Sequence, residues 1–455
     1  MQFIAISGLP ILKTYGVNDA NMPILPHGRA RNSITNCIGQ VQASWTRRQL
    51  AIAAPYFTLG DLARLDGLLN SQVDALHWKC AQSWAAVEQR LSGSEYSLHD
   101  LFPAAVLAFS EDAPAGWRGF LLELIGPDEP SIGALVEALA WLPLDSIKEH
   151  LLQLLASRDT LHQRIALAVC AYRRVDVGDY LTAALQSDAP EHRTCALKAA
   201  GELGRRDLLD SLRQHLTTES PDWRFTAVCS AVRLGERGPC LERLIEIAGS
   251  DCALRKQAIS LLPRVLNATQ RARWLDRIKD QSIASPDAII GIGAAGDPWQ
   301  IPWLLTLMQD CAVARAAGEA FTLITGLDLV EHGFAQPAAA PPAEPLDPKR
   351  GLPWPDPEAI GAWWHANLGH YKRGTRYLLG HPITPDHCRN VLITGYQRQR
   401  GAAALELGLI QTGMPLFAVH APVSEQRDLL DIADILQLGV ETTVALWPGG
   451  APGDP

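Results

Sequence analysis

The sequence predicts an all-α fold: an α-solenoid of paired helices, with further helical segments at both ends. Three observations in one register predict it. Arg164, Arg193, Arg224, Arg255 and Arg315 stand 29, 31, 31 and 60 residues apart. Since 60 is two steps, a unit of about 30 residues recurs, with one copy lacking its arginine. Eleven residues after three of these arginines stands a glycine: Gly204, Gly235 and Gly326. Five residues before four of them stands an acid: Asp159, Asp188, Glu219 and Asp310, while Ser250 holds that place before Arg255, with Asp251 next. The incomplete copy still shows its turn, because Gly296 lies 92 residues after Gly204, about three periods.

One unit follows from elementary physics. An apolar helix such as the one through Ala166, Leu167, Ala168 and Val169 carries bulk on several faces. A glycine, which tolerates positive φ, lets the chain reverse. A second helix follows, as in Leu208 to Leu216. Neither helix can bury its apolar stripe alone, so pairs stack into a superhelix with a continuous core. The spacing predicts six or seven units between about Trp117 and Gly326. The acid and arginine of each unit read as a structural ladder between neighbouring repeats: Asp159, Arg164, Asp188, Arg193, Glu219, Arg224, Arg255, Asp310 and Arg315.

Before the repeats, Ile34, Ile38, Val41 and Trp45 fall on one helix face. Thr58 and Asp61 form a capping box with Asp in place of Glu, opening a helix whose apolar face is Leu62, Leu65, Leu68 and Leu69. A third helix is expected from Val73 to Leu91. After the repeats, prolines crowd between His332 and Pro357, a density that forbids helix and predicts an extended or disordered loop. A helical segment follows from Glu358 to Leu438, with Thr384-Pro385 as an N-cap and first helical residue and a further helix over Arg400 to Leu409. Residues 448–455 read as frayed. The expected division is 1–112 (1–28 irregular), a solenoid over 113–330, a Pro-rich linker over 331–357 and a C-terminal helical segment over 358–455.

Composition narrows the classes of function. Lys plus Arg is 40 against 49 Asp plus Glu, a formal charge of −9 that repels nucleic acid on average. The nine cysteines, Cys37, Cys80, Cys170, Cys195, Cys229, Cys240, Cys252, Cys311 and Cys388, are odd in number and hold no C-x-x-C pair. Several stand among Ala and Leu, where a free thiol is a small buried hydrophobe, and a reducing cytoplasm is expected. No apolar run is long enough for a transmembrane helix, and the N-terminus lacks the basic region of a signal peptide.

Chemistry-bearing motifs are scarce. Gly291, Gly293 and Gly296 match the dinucleotide fingerprint G-x-G-x-x-G, but Gly296 sits on the repeat's turn, and Pro298 and Pro302 interrupt the residues after it. His365, His370, His381, His387 and Cys388 crowd together without the spacing that converges on one helix face, so no metal and no cofactor is expected. There is no H-E-x-x-H, G-x-S-x-G or Walker A sequence. Trp363, Trp364, Arg373, Arg376 and Tyr377 form an aromatic and basic cluster. It reads first as docking of the C-terminal segment onto the solenoid. Trp363, Trp364, Arg376 and Tyr377 are also the candidate protein-binding residues, since such types are enriched at interface hot spots.

The units of about 30 residues with acid–arginine spacing and glycine turns resemble HEAT repeats of the short, PBS-lyase-like kind. The run from Ala54 to Asp66, with Pro103 to Ala108 and the helix Arg400 to Leu409, is similar to a proteobacterial HEAT-repeat family whose genes lie beside type VI secretion genes for the spike protein and its adaptors. The resemblance spans roughly residues 30 to 430, and residues 1–28 depart from it, which places the expected natural start further along the chain. The resemblance supplies no catalytic residues. It implies a non-catalytic cytoplasmic scaffold or adaptor, an accessory to spike or effector loading, with a protein partner and neither nucleic acid nor membrane. Two alternatives stand beside it: a HEAT-fold enzyme or nucleic-acid binder of the bilin-lyase or DNA-glycosylase kind, and a structural homo-oligomer.

Overall fold

The structure is a computed structural model that describes residues 34–93, 96–218, 220–281, 286–336 and 351–431. The N-terminal unit is α1 (Ile34–Ala53), α2 (Leu59–His77), α3 (Cys80–Leu91) and α4 (Leu101–Ala108). Seven helix pairs follow: α5 (Ala115–Ile125) with α6 (Glu129–Trp141), α7 (Leu144–Leu155) with α8 (Thr160–Tyr172), α9 (Asp179–Ala184) with α10 (Pro190–Glu202), and α11 (Leu209–Gln214) with α12 (Pro221–Arg233). The series continues with α13 (Pro239–Gly249) and α14 (Arg255–Val265), α15 (Ala268–Gln281) and α16 (Pro286–Ala295), and α17 (Ile301–Leu307) and α18 (Ala314–Thr325). Beyond them lie β1 (Ala335–Gln336), β2 (Trp354–Pro355), α19 (Pro357–Asn367), β3 (Tyr377–Leu378), β4 (His381–Pro382), α20 (Pro385–Thr394), α21 (Gln397–Ile410) and α22 (Val423–Leu430).

Local sequence sets these boundaries. Thr58 and Asp61 form the reciprocal capping box. Asp128, Asp159 and Ser220 cap α6, α8 and α12 through their side chains, and Pro190 and Pro221 open α10 and α12 where no amide partner is lost. Gly204, Gly235, Gly296 and Gly326 all have positive φ just past the ends of α10, α12, α16 and α18. The equivalent place after α8 is held by Arg174, with φ 62°.

The even-numbered helices from α4 to α18 pack one on the next along the whole length, while the odd ones pack on their own even neighbours. The even row is therefore the short inner row, and the superhelix curves toward it. Small residues permit that approach. A Cβ on Gly201 of α10 would stand 2.7 Å from the Ser230 backbone of α12.

The Pro-rich stretch is bracketed by a ladder: β1 pairs antiparallel with β2, and Asp356 N donates to Phe334 O. Of the expected loop, residues 337–350 lie outside the described residues, as do 1–33 and 432–455. In the described part of the C-terminal segment the helices are interrupted by a tight hairpin of β3 and β4, whose turn residues Leu379 and Gly380 both have positive φ, and by a non-helical run over 411–422.

From this hairpin onward the chain forms a strap along the C-terminal ends of the inner row. Leu379 N and Gly380 N donate to Leu323 O and Ile324 O of α18, and Tyr377 N donates to Gly296 O. Leu416 N donates to Glu202 O of α10 at 2.8 Å, and Arg174 Nε donates to Leu416 O at 2.8 Å. Further on, Val423 N donates to Asp66 of α2. Helix α21 meets both ends of the solenoid, because Arg398 donates to Ala53 O of α1 at 3.0 Å and to Glu319 of α18 at 2.8 Å. The superhelix is thus closed end to end by its own C-terminal segment.

Gly296 tests this junction. Its φ is +62°, and a Cβ there would stand 2.4 Å from Tyr377 O. Gly296→Ala is expected to lower the unfolding free energy by about 1–3 kcal/mol in urea titration.

Candidate functional site

The strap covers one rim of the superhelix, where the inner helices end. The opposite rim is left to solvent, and the inner face keeps a row of half-buried side chains. On the inner face the accessible side chains recur at steps of three or four: Ala168 and Tyr172 on α8, Cys195 and Lys198 on α10, Thr226, Cys229 and Arg233 on α12, and Ser260 on α14.

Where this face meets the strap, charges gather. Lys198 keeps 23% side-chain exposure and stands 3.8 Å from Glu202, which also binds Arg174 at 2.8 Å. Burial lowers the Lys198 pKa, and Glu202 opposes that. The His420 ring of the strap lies tilted against Tyr172 at 3.9 Å between ring centroids and bonds Tyr172 O. Burial holds His420 neutral, with its pKa pushed down to about 3. Arg48 pairs with Asp66 and donates to Ala421 O at 3.1 Å. Glu137 on α6 accepts from Gln49 Nε2 at 2.8 Å, and burial pushes its pKa up to about 7 against the pull of Arg48. Burial pushes the Cys195 and Cys229 thiols up to about 11, so neither is a thiolate at neutral pH. The stripe offers charge and hydrogen bonds, with both its thiols held protonated.

The ladder residues are placed differently from the sequence reading. Asp159 caps Leu161 N and is 54% exposed, while Arg164 pairs with Glu129 of the preceding inner helix, Nη1 to Oε1 at 2.7 Å. Asp188 is fully exposed and 3.8 Å from Arg193. Arg193 instead donates from Nε to Ser187 O at 2.7 Å and lies over the Trp223 ring at 4.4 Å. Arg224 donates to Thr218 O, and Glu219 lies outside the described residues. Asp310 accepts from Ala312 N, and Arg315 lies over Trp354 at 5.1 Å. Arg255 opens α14. The acid–arginine register is therefore a helix-entry device. The short acid satisfies free amides, and at Arg193 and Arg224 the guanidinium closes on the carbonyl six residues back. Two of the ladder arginines reach across between repeats, Arg164 to Glu129 and Arg193 to the Trp223 ring.

The candidate protein-binding residues lie largely inside the molecule. Trp364 is buried near Trp299 and Tyr371, and Trp363 packs edge-on to Phe321. Arg376 donates to Ala294 O, Ala295 O, Arg264 O and Glu406. Tyr377 is buried, and its hydroxyl accepts from Lys372 N. They join the segment to the solenoid, the first of the two readings of this cluster.

The glycines of the dinucleotide-like motif serve packing. They lie within or just after a helix that no strand precedes among the described residues, Gly291 faces Trp274 and Gly293 faces Ala320. His365 and His370 are exposed, His387 bonds Leu378 O and Cys388 is buried. Among the described residues no group of three or more His, Cys, Asp or Glu side chains is placed to hold a metal ion.

Sequence reasoning missed the buried charges at the strap, among them Arg48, Asp66, Glu202, Arg264, Arg400 and Glu406. One signal was available. Glu406 interrupts the run from Ala402 to Leu409, and a carboxylate there needs a cationic partner.

Two outcomes are expected. Arg193→Ala lowers stability by about 1–2 kcal/mol in urea titration, while Asp188→Ala changes it by less than about 0.5 kcal/mol. Glu137 keeps its proton to about pH 7 in the folded chain and loses it near the ordinary value of 4.5 when unfolded. Its contribution to stability therefore falls as pH rises from 4.5 to 7. Glu137→Gln flattens that fall and raises stability at pH 8 by about 2 kcal/mol, read as the difference between denaturation profiles across pH.

Among the described residues no helix is long and apolar enough to cross a membrane. No curated protein matches the sequence. A family model described as HEAT repeats matches residues 148–233, from within α7 to the end of α12. With inner and outer helices alternating before and after that stretch, the chain is an all-α solenoid of HEAT-like repeats.

Proposed function

We propose that this chain is a non-catalytic protein-binding scaffold whose partner docks on the inner face of the superhelix. The observation that carries the reading is the stripe of half-buried side chains crossing α8, α10, α12 and α14, beside a rim that the chain covers itself. HEAT repeats commonly serve protein interaction, and both thiols on this stripe are held protonated by burial, so neither is poised as a nucleophile.

The finer reading is an adaptor or chaperone-like accessory that loads a type VI secretion spike or effector. It rests on the resemblance carried by Ala54 to Asp66. In this chain those residues serve ring closure, since Phe57 O accepts from Gln397 N and Asp66 receives Val423 N. The partner-binding residues are therefore sought elsewhere, on the inner stripe.

A photo-crosslinking residue at Cys229 or Ser260, with one at Leu152 of outer helix α7 as control, tests both levels in cells. Leu152 is 49% exposed. A specific protein joined from the inner positions and not from Leu152 is the expected result. A spike, adaptor or effector among the joined proteins supports the secretion role, and a different specific protein leaves the scaffold and removes that role. No inner-face product, or equal products from Leu152, sinks the docking model.

A further inference from the structure

The strap is built unlike the body it closes. Leu378, Leu379, Cys388, Val391, Leu392 and Ala402–Ala404 form an apolar cluster of their own, to which the solenoid contributes Leu323. The repeats share a second, continuous core, into which the strap puts Tyr377 and Leu405, with Leu409 packed against it. Between the two runs a seam rich in charge. Glu406 of the strap lies between Arg264 of α14 and Arg376, which precedes the strap and is itself bonded to the solenoid carbonyls. Arg173 pairs with Glu425, and Arg174 links Glu202 to Leu416 O. Backbone bonds cross the seam at Leu379, Gly380, Gln397 and Leu416. An apolar footing lies at the far end, where Val423 and Leu430 pack on Ala51, Leu59 and Leu62.

These parts differ in how they respond to separation. Opening the repeat stack exposes apolar surface at full cost. Opening the seam returns ions and amides to water, which repays much of what the broken pairs lose. Arg174 adds a bias. It holds a left-handed conformation where four of the repeats use glycine, a conformation that strains a residue with a Cβ. Its side chain anchors Leu416 O there. A solenoid in which each repeat touches only its neighbours also has little else to hold its curvature closed.

We propose that residues 377–430 are a clasp that opens as one unit, letting the two ends of the superhelix part while the inner helices stay packed. Arg398 is the point of closure, since it alone carries side-chain bonds to both α1 and α18 in the described structure.

Hydrogen exchange on the full chain tests this, with small-angle scattering alongside. In the wild type the amides of Leu379, Gly380, Gln397 and Leu416 are expected to exchange at least tenfold faster than those in the middle of α8, α10 and α12. Glu406→Gln should speed the clasp amides a further tenfold or more, with the inner helices unchanged and the radius of gyration increased. Arg398→Gln leaves Glu406 and its arginines in place, so it covers the case in which the first variant fails to fold. It should speed exchange at Gln397 and at the end of α1, again with the inner helices unchanged. Equal protection of clasp and inner helices in the wild type overturns the proposal. So does Arg398→Gln if exchange rises everywhere at once, or stays unchanged at Gln397.

Discussion

Every α-helix ends in carbonyls that have no partner of their own, and they carry the negative pole of the helix. An inner row of parallel helices gathers those ends along one rim. Here most of that rim receives donors from elsewhere in the chain. Arg376 donates to Ala294 O, Ala295 O and Arg264 O, and Arg173 donates to Ala140 O. His420 bonds Tyr172 O, Leu416 N donates to Glu202 O, and the β3–β4 turn donates to Leu323 O and Ile324 O. The course of the strap, the arginines along it and the closure of the ring follow from this one need. Cations at the negative ends of helices are also favourable in themselves, which explains why arginine recurs along the seam.

The same need explains the buried charges. Glu406 is almost wholly enclosed, a cost that is tolerable because two guanidinium groups meet it. Their attraction holds its carboxyl below the ordinary value despite burial. Glu137 has the weaker arrangement, with a glutamine and a more distant arginine, and burial prevails there. Two glutamates in one molecule are thus driven in opposite directions by the partners each has.

What was legible in the sequence is what depends on neighbours in the chain. The repeat period, the glycine turns, the Thr58 capping box and the Thr384 N-cap are local devices, and the helices begin and end by them. The arginine register was legible as a repeat but its partners were not. Three of the four partners seen for Arg193 and Arg224 are backbone carbonyls or an aromatic ring, which no charge pattern announces. The strap was legible as helices and not as a closure, because its contacts join residues 345 and 373 positions apart. The aromatic cluster at Trp363 and Trp364 read first as a seam and second as a surface, and the packing against Phe321 and Trp299 places it in the seam.

The closure has a consequence for the order in which the molecule is made. Each repeat contacts chiefly the one before it, so inner helices can pack as they leave the ribosome. The donors for Ala53 O and for the end of α8 are supplied by Arg398 and His420, which follow every repeat in the chain. Until they emerge, the nascent superhelix carries a rim of unanswered carbonyls and an exposed apolar patch at Leu59 and Leu62. The ring can therefore close only after the strap has followed the repeats out of the ribosome.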